Sequence, residues 1–262
     1  MAKLKTRMIA VANEKGGVGK TVTVINLGAA LQQEGRKVLV VDMDPQFNAT
    51  RGLGVEPASD APNIYDLLVK EEPVSVADVI VSTAWEGLDL VPSHVDLSGA
   101  EVELVDVPGR ENRLKEAMAE TAGRYDFILC DTPPSLSLLT INVLAYAREV
   151  LVPCQTHPYA YAALEELFDT IDAVGAEIND RLKITGIMAT LFDQRTRVGN
   201  RILEKLRSDE RYGPLMLDTV IRANTTIADS ADVGKPVVYY RRSSFGAEDY
   251  TALAREILSR GA

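Results

Sequence analysis

Glu14-Lys15-Gly16-Gly17-Val18-Gly19-Lys20-Thr21 follows an apolar run, Met8-Ile9-Ala10-Val11-Ala12, and precedes a helical pattern. Strand, glycine-rich turn and helix in that order form a phosphate cradle. The glycines let successive N–H groups point inward, and the helix adds its positive end. Lys20 then reaches the β- and γ-phosphates of a nucleotide, and the Thr21 hydroxyl meets Mg²⁺. The ordinary pattern puts its first glycine where Glu14 stands. What remains is a variant, Lys-Gly-Gly-x-Gly-Lys-Thr, carrying a second lysine. With Lys20 already serving the phosphates of its own loop, Lys15 is better placed to reach a nucleotide in a neighbouring subunit.

Beyond the loop, Val24, Leu27, Gly28 and Leu31 keep helical spacing until Glu34-Gly35, and Lys37-Val38-Leu39-Val40-Val41-Asp42 reads as a buried strand. Further strands are expected at Leu88-Asp89-Leu90-Val91, Phe127-Ile128-Leu129-Cys130, Val150-Leu151-Val152, Ile184-Thr185-Gly186-Ile187-Met188 and near residues 215–221, with helices over 111–121 and 163–174. Continuous apolar strands alternating with helices predict an α/β fold, a mostly parallel twisted sheet flanked by helices on both faces. Such sheets bind ligands beyond the carboxyl ends of their strands. The chain has 262 residues, 46% of them hydrophobic, and no Pro/Ser-rich linker, so one P-loop NTPase domain over 1–262 is expected.

Cys130 and Cys154 both lie in apolar runs and read as buried thiols, which fits a reducing cytoplasm. Met1-Ala2-Lys3-Leu4-Lys5 leads straight into a strand, so no signal peptide is expected, and no run approaches the ~20 apolar residues that span a bilayer. A net charge of −10 argues against a protein basic all over but leaves room for a local basic patch.

Two acidic motifs fall at strand ends. In Asp42-Met43-Asp44-Pro45-Gln46, a carboxylate on the rim of the phosphate loop can hold the attacking water or bind the metal, and Asp44, nearer the loop, is the catalytic candidate. An Asx-type turn before Pro45 is the plain alternative. In Phe127-Ile128-Leu129-Cys130-Asp131-Thr132-Pro133-Pro134, a buried strand ends in an acid that would position Mg²⁺ through a water.

These residues carry a resemblance. The loop, Val40-Val41-Asp42-Met43-Asp44-Pro45-Gln46-Phe47-Asn48-Ala49-Thr50, Asp131-Thr132-Pro133-Pro134-Ser135-Leu136, Asp96-Leu97-Ser98-Gly99-Ala100-Glu101-Val102-Glu103-Leu104 and Gly234-Lys235-Pro236 closely resemble the ParA/Soj family of partitioning ATPases, which carry a deviant Walker A loop and belong with MinD. The resemblance covers nearly the whole chain. It implies a homodimer sandwiching two ATP molecules, in which Lys15 contacts the partner's ATP and Gly16, Gly17, Val18, Gly19, Lys20, Thr21 and Val22 hold the chain's own nucleotide. It further implies that Thr21 and, through water, Asp131 hold Mg²⁺, and that Asp44 orients the attacking water. A cytoplasmic, nucleoid-associated protein is implied, which binds nonspecific DNA as the ATP dimer and is reset by a ParB-like partner that stimulates hydrolysis. The cargo is a plasmid, a chromosome or, in related systems, a protein assembly.

For DNA, Arg197, Arg201 and Lys205 recur at i, i+4 and i+8 and share one helix face, with Arg195 just ahead. A solvated basic face is the plain alternative. The resemblance supports Arg195 within Asp193-Gln194-Arg195-Thr196. Where chromosomal relatives carry Ile-Pro-Arg-Asn-Val-Arg, this chain has Ile221-Arg222-Ala223-Asn224-Thr225-Thr226, so Arg222 is the compensating candidate. His94 and His157 read as structural rather than as catalytic bases, since phosphoryl transfer depends on positioning.

Other classes on this scaffold are a MinD-like membrane-associated ATPase, a ligase and an iron–sulfur electron donor. The first needs a basic amphipathic C-terminal helix. Here Tyr250, Leu253, Ala254, Ile257 and Leu258 form an apolar stripe, but Glu248, Asp249 and Glu256 offset Arg255 and Arg260, so a helix docked on the core and no membrane contact are expected. The electron donor needs two cluster cysteines per subunit at a dimer axis, a place that Cys130, inside a strand, does not suit.

Overall fold

The computed structural model describes residues 6–56, 61–70 and 74–260. Eight strands form one sheet: β1 (Arg7–Val11), β2 (Val38–Asp42), β3 (Val81–Ser82), β4 (Leu88–Val91), β5 (Phe127–Asp131), β6 (Glu149–Gln155), β7 (Lys183–Phe192) and β8 (Met216–Arg222). Their spatial order is β3-β4-β2-β5-β1-β6-β7-β8, parallel throughout except for β3, which runs antiparallel to β4. Both β2 and β5 are buried along their whole length, as strands covered on two faces must be.

Alternation along each strand divides the core. Ile9 and Val11 of β1 and Val38 and Val40 of β2 face Val24, Leu27 and Leu31 of the Lys20–Gln33 helix together with Tyr250 and Leu253 of the Phe245–Ser259 helix. Ala10, Leu39, Val41 and Ile128 face the other way, toward Leu144, Leu164 and Phe168 of the Leu138–Tyr146 and Ala160–Glu177 helices. Each fully buried leucine in these layers contributes about 1.5–3 kcal/mol. Register brings the active ends level: Val11 and Asp42 both sit opposite Asp131 on the central strand β5. Between β5 and β6, β1 marks the point where the strand order reverses, and its exit is the crevice where doubly wound sheets bind ligands.

The expected C-terminal docking is observed, with Tyr250, Leu253, Ala254 and Ile257 buried and Leu258 half-buried. Carboxylates of the same helix also meet the outer edge of β8. Glu256 accepts the N–H groups of Asp218 (2.9 Å) and Thr219 (2.8 Å), and Asp249 accepts that of Arg222 (2.9 Å). Both cysteines are buried and free, and burial pushes each thiol up to about 12. Among the described residues no helix is long and apolar enough to cross a membrane.

One expected element differs. Residues 111–121 form no continuous helix but a 3-10 turn (Arg110–Asn112), a short α-helix (Arg113–Ala117) and a second 3-10 turn (Ala119–Thr121). The Asn142 side chain is the cause at the first break. Its Nδ2 donates to the Arg110 carbonyl at 2.9 Å and its Oδ1 accepts from the Leu114 N–H at 3.1 Å, so a side-chain amide occupies the place of one i→i−4 bond.

Candidate active site

The loop after β1 turns on Gly17 (φ 74°) and Gly19 (φ 92°), a region that favours glycine. Gly19 opens the Lys20–Gln33 helix with no side-chain cap, which leaves the first amides of that helix free for an anion. Three side chains fix the loop. Asn13 donates from Nδ2 to the Pro153 carbonyl of β6 (2.8 Å) and accepts the Lys15 N–H at Oδ1 (2.9 Å). Thr190 of β7 donates to the Val18 carbonyl (2.8 Å), and Lys20 Nζ donates to the Lys15 carbonyl (3.2 Å). Lys20 is only 6% exposed. Burial lowers its pKa, opposed by the carboxylates of Asp131 and Asp44. By contrast, Lys15 is half-buried, and Gly16 and Gly17 beside it are exposed.

The two aspartates after β2 separate. Asp42 is fully buried and accepts from the Thr50 N–H (2.8 Å), the Thr50 hydroxyl (2.7 Å) and the Asp44 N–H (3.2 Å). Burial is the largest influence on its carboxyl and lifts it to about 6 against those donors, so Asp42 organises the turn. Asp44 lines the nucleotide cavity, with Oδ1 accepting the Gln46 N–H (3.0 Å) and its carbonyl taking the Ser93 hydroxyl (2.8 Å).

Asp131 at the end of β5 is fully buried, and both its carboxylate oxygens lack a hydrogen-bond partner. Burial, then the Asp42 carboxylate, push its pKa well above the usual carboxylate range, against the pull of the nearby Lys20 charge. Native interiors rarely leave a buried acid so unpartnered. Among the described residues no group of three or more His, Cys, Asp or Glu side chains is placed to hold a metal. The donor set here, one hydroxyl and one carboxylate beside a phosphate cradle, fits Mg²⁺, which keeps several waters and takes its remaining ligands from phosphates.

A cavity of about 460 Å³ runs from Gly16, Lys20, Thr21 and Asp44 to Ile221, Asn224 and Ile227. Ile221 and Arg222 at the end of β8 and Asn224 and Ile227 beyond it line this cavity, a place their residue pattern does not reveal, because the same segment reads equally well as a basic surface loop. Asn13 escaped the sequence reading too, as a polar residue between strand and glycines.

The basic residues fall into two sets. Arg197, Arg201 and Lys205 stand exposed on one face of the Arg197–Ser208 helix, with Lys205 Nζ 4.1 Å above the Tyr161 ring. Arg195, 85% exposed, closes on Asp193 at 2.9 Å. Arg222 belongs elsewhere. Asp249 holds its guanidinium at 2.5 Å, Glu248 holds it at 3.3 Å, and it lies over the Phe245 ring. Those acids sit 26 and 27 residues away in sequence, so the compensating role expected for Arg222 meets carboxylates already in place. His157 is exposed beside Tyr159, and His94 caps a 3-10 turn; neither lines the cavity.

A protein family described as an AAA domain matches residues 6–184. The sporulation initiation inhibitor protein Soj of Bacillus subtilis is 42% identical over 97% of this chain and 99% of its own length. The chain belongs to the ParA/Soj family of partitioning ATPases. The chromosome partitioning protein ParA of Myxococcus xanthus is 41% identical over 97% of this chain and 88% of its own. Among solved structures, cobyrinic acid a,c-diamide synthase of Mycobacterium smegmatis with a bound ATP analogue and magnesium superposes with a TM-score of 0.82, at 36% identity over 97% of this chain and 94% of that one. Family membership carries the expected ATPase activity and the partitioning or positioning class.

Proposed function

We propose that this chain is an ATP-gated dimer switch that binds nonspecific DNA and partitions a plasmid or chromosome through a ParB-like partner, hydrolysis returning the dimer to monomers. One ParA-like unit over 1–262 carries it. ATP is the substrate and Mg²⁺ the cofactor, supplying charge neutralisation at the β- and γ-phosphates. Lys20 and the open amides of residues 20–22 bind the phosphates, and Asp44 orients the attacking water. Thr21 and, through a water, Asp131 hold the metal side.

The observation that carries the dimer reading is the half-buried Lys15 beside a cradle whose own lysine, Lys20, is already seated. A cation left on the rim of a completed site suits a phosphate arriving from a second subunit. For DNA, the exposed Arg197, Arg201 and Lys205 face supplies contacts that read charge and not sequence, with Arg195 next to it. A cytoplasmic, nucleoid-associated location follows from that reading.

The test is retention on nonspecific DNA with no nucleotide, with ADP and with ATP, read beside the dimer fraction. ATP-dependent retention of a dimer is expected; equal retention in all three states would remove the switch. The name of the Mycobacterium smegmatis neighbour favours a ligase as the second reading. ATP turnover without any added small molecule separates the two. Positioning of a protein assembly uses the same switch with another cargo. A MinD-like membrane role is disfavoured by the docking of the C-terminal helix and is tested by sedimentation with liposomes.

A further inference from the structure

A cavity of about 750 Å³ lies far from the nucleotide loop, at the amino ends of the strands. That volume is within the roughly 300–1,000 Å³ that small-molecule sites occupy. Met8 and Ile128 of the sheet form its floor, and Met118, Tyr146 and Ile178 its walls. Two polar side chains of the wall, Asn179 and Thr6, are already engaged. Asn179 Nδ2 donates to the carbonyls of Leu144 (2.8 Å) and Ala147 (2.6 Å), and the Thr6 hydroxyl donates to that of Tyr125 (2.7 Å). Apart from the Tyr146 hydroxyl, the interior therefore presents mainly an apolar surface.

The rim is different. Lys115, Arg148 and Arg181 line it with a single acid, Asp180. Among the described residues none of these three cations forms an ion pair. In a chain with a net charge of −10, three uncompensated cations around one apolar cavity run against the composition. An uncompensated guanidinium attracts a carboxylate most strongly where water is partly excluded, and half-buried Arg148 has that setting.

We propose that this cavity is a binding site for a free fatty-acid-like monocarboxylate, its chain inside the Met8–Ile128 cavity and its carboxylate held by Arg148, Arg181 and Lys115. The chain lies against β1 and β5, the two strands whose opposite ends carry the phosphate loop and Asp131.

The test uses the full chain and calorimetric titration with octanoate, decanoate and dodecanoate, all below their aggregation concentrations, and with dodecanol. Saturable one-to-one binding is expected, tightening about fourfold per methylene. The triple variant Lys115→Gln, Arg148→Gln, Arg181→Gln should weaken dodecanoate at least tenfold while leaving dodecanol unchanged. Ala122→Trp, at an exposed position of the rim, should block the whole series; parental ATP turnover in both variants shows that they are folded. Absence of saturable binding, equal dodecanoate affinity in the triple variant, or parental binding by folded Ala122→Trp overturns the site. So does binding to anionic vesicles without binding of the free acids, which would mean a lipid surface instead.

Discussion

Asn13→Ala is the sharpest probe of how the phosphate loop is held. The side chain is 3% exposed and makes two hydrogen bonds, to the Pro153 carbonyl at 2.8 Å and from the Lys15 N–H at 2.9 Å. Removing it strands a buried carbonyl, at about 1–3 kcal/mol, and forfeits a second bond of about 1 kcal/mol whose N–H regains water at the loop surface. The expected destabilisation is therefore about 2–4 kcal/mol, or roughly 5–15 °C in Tm for a chain of this size. Because the nucleotide must then order the loop itself, about 1–2 kcal/mol is also lost from ATP binding, roughly a five- to thirtyfold rise in Kd. Scanning calorimetry without nucleotide and titration with ATP measure the two halves. Tyr125→Phe, which removes a 2.9 Å bond to Asp89 far from the loop, should lower stability by about 1 kcal/mol and leave ATP affinity alone. Parental ATP affinity in Asn13→Ala would refute the anchoring argument, whatever happens to Tm.

Lys20→Ala should abolish ATP binding, whereas Asp44→Ala should bind ATP and dimerise while turning over about a hundredfold or more slowly; parental turnover in the latter removes Asp44 from water positioning. Neutralising Arg197, Arg201 and Lys205 with glutamine should weaken DNA retention without affecting dimerisation, and the slope of log K against log salt should fall by about 2.7, about 0.9 for each lost contact. Glu149 gives the pH prediction. Although burial would raise its pKa, the Arg7 guanidinium and the Thr185 hydroxyl hold it below the usual glutamate value. Its folded-state pKa is depressed, so its contribution is complete above the unfolded value and disappears as pH falls through the folded one. Glu149→Gln should cost about 3 kcal/mol at pH 7, and the difference from the parent should shrink in acid below pH ~4. A difference independent of pH would mean that the ion pair contributes nothing.

The sequence disclosed what side-chain identity alone encodes. Phe127-Ile128-Leu129-Cys130 has no polar break, so it must be covered on both faces, and it lies mid-sheet. The Lys20–Thr21 pair after alternating glycines can be read because those backbone angles admit little else. What stayed hidden depends on partners distant in sequence. The break at residues 110–114 comes from Asn142, and the engagement of Arg222 from Asp249. Nearness to the loop singles out Asp44 in the sequence, but only the path back to Thr50 shows that Asp42 is spent on the fold. The two-residue β3 carries too little pattern to register as a strand.

The edges of the sheet limit how copies of this chain can meet. At one side β3 ends the ladder after two antiparallel residues, and at the other the outward N–H groups of β8 already donate to Glu256 and Asp249. Neither border offers the row of free amides and carbonyls along which strands zip together. Sheet growth from chain to chain, the commonest route to unwanted fibres, is blocked by three carboxylate contacts and one truncated strand. Loss of Glu256 would free two of those amides and leave that border guarded by Asp249 and the helix that carries it.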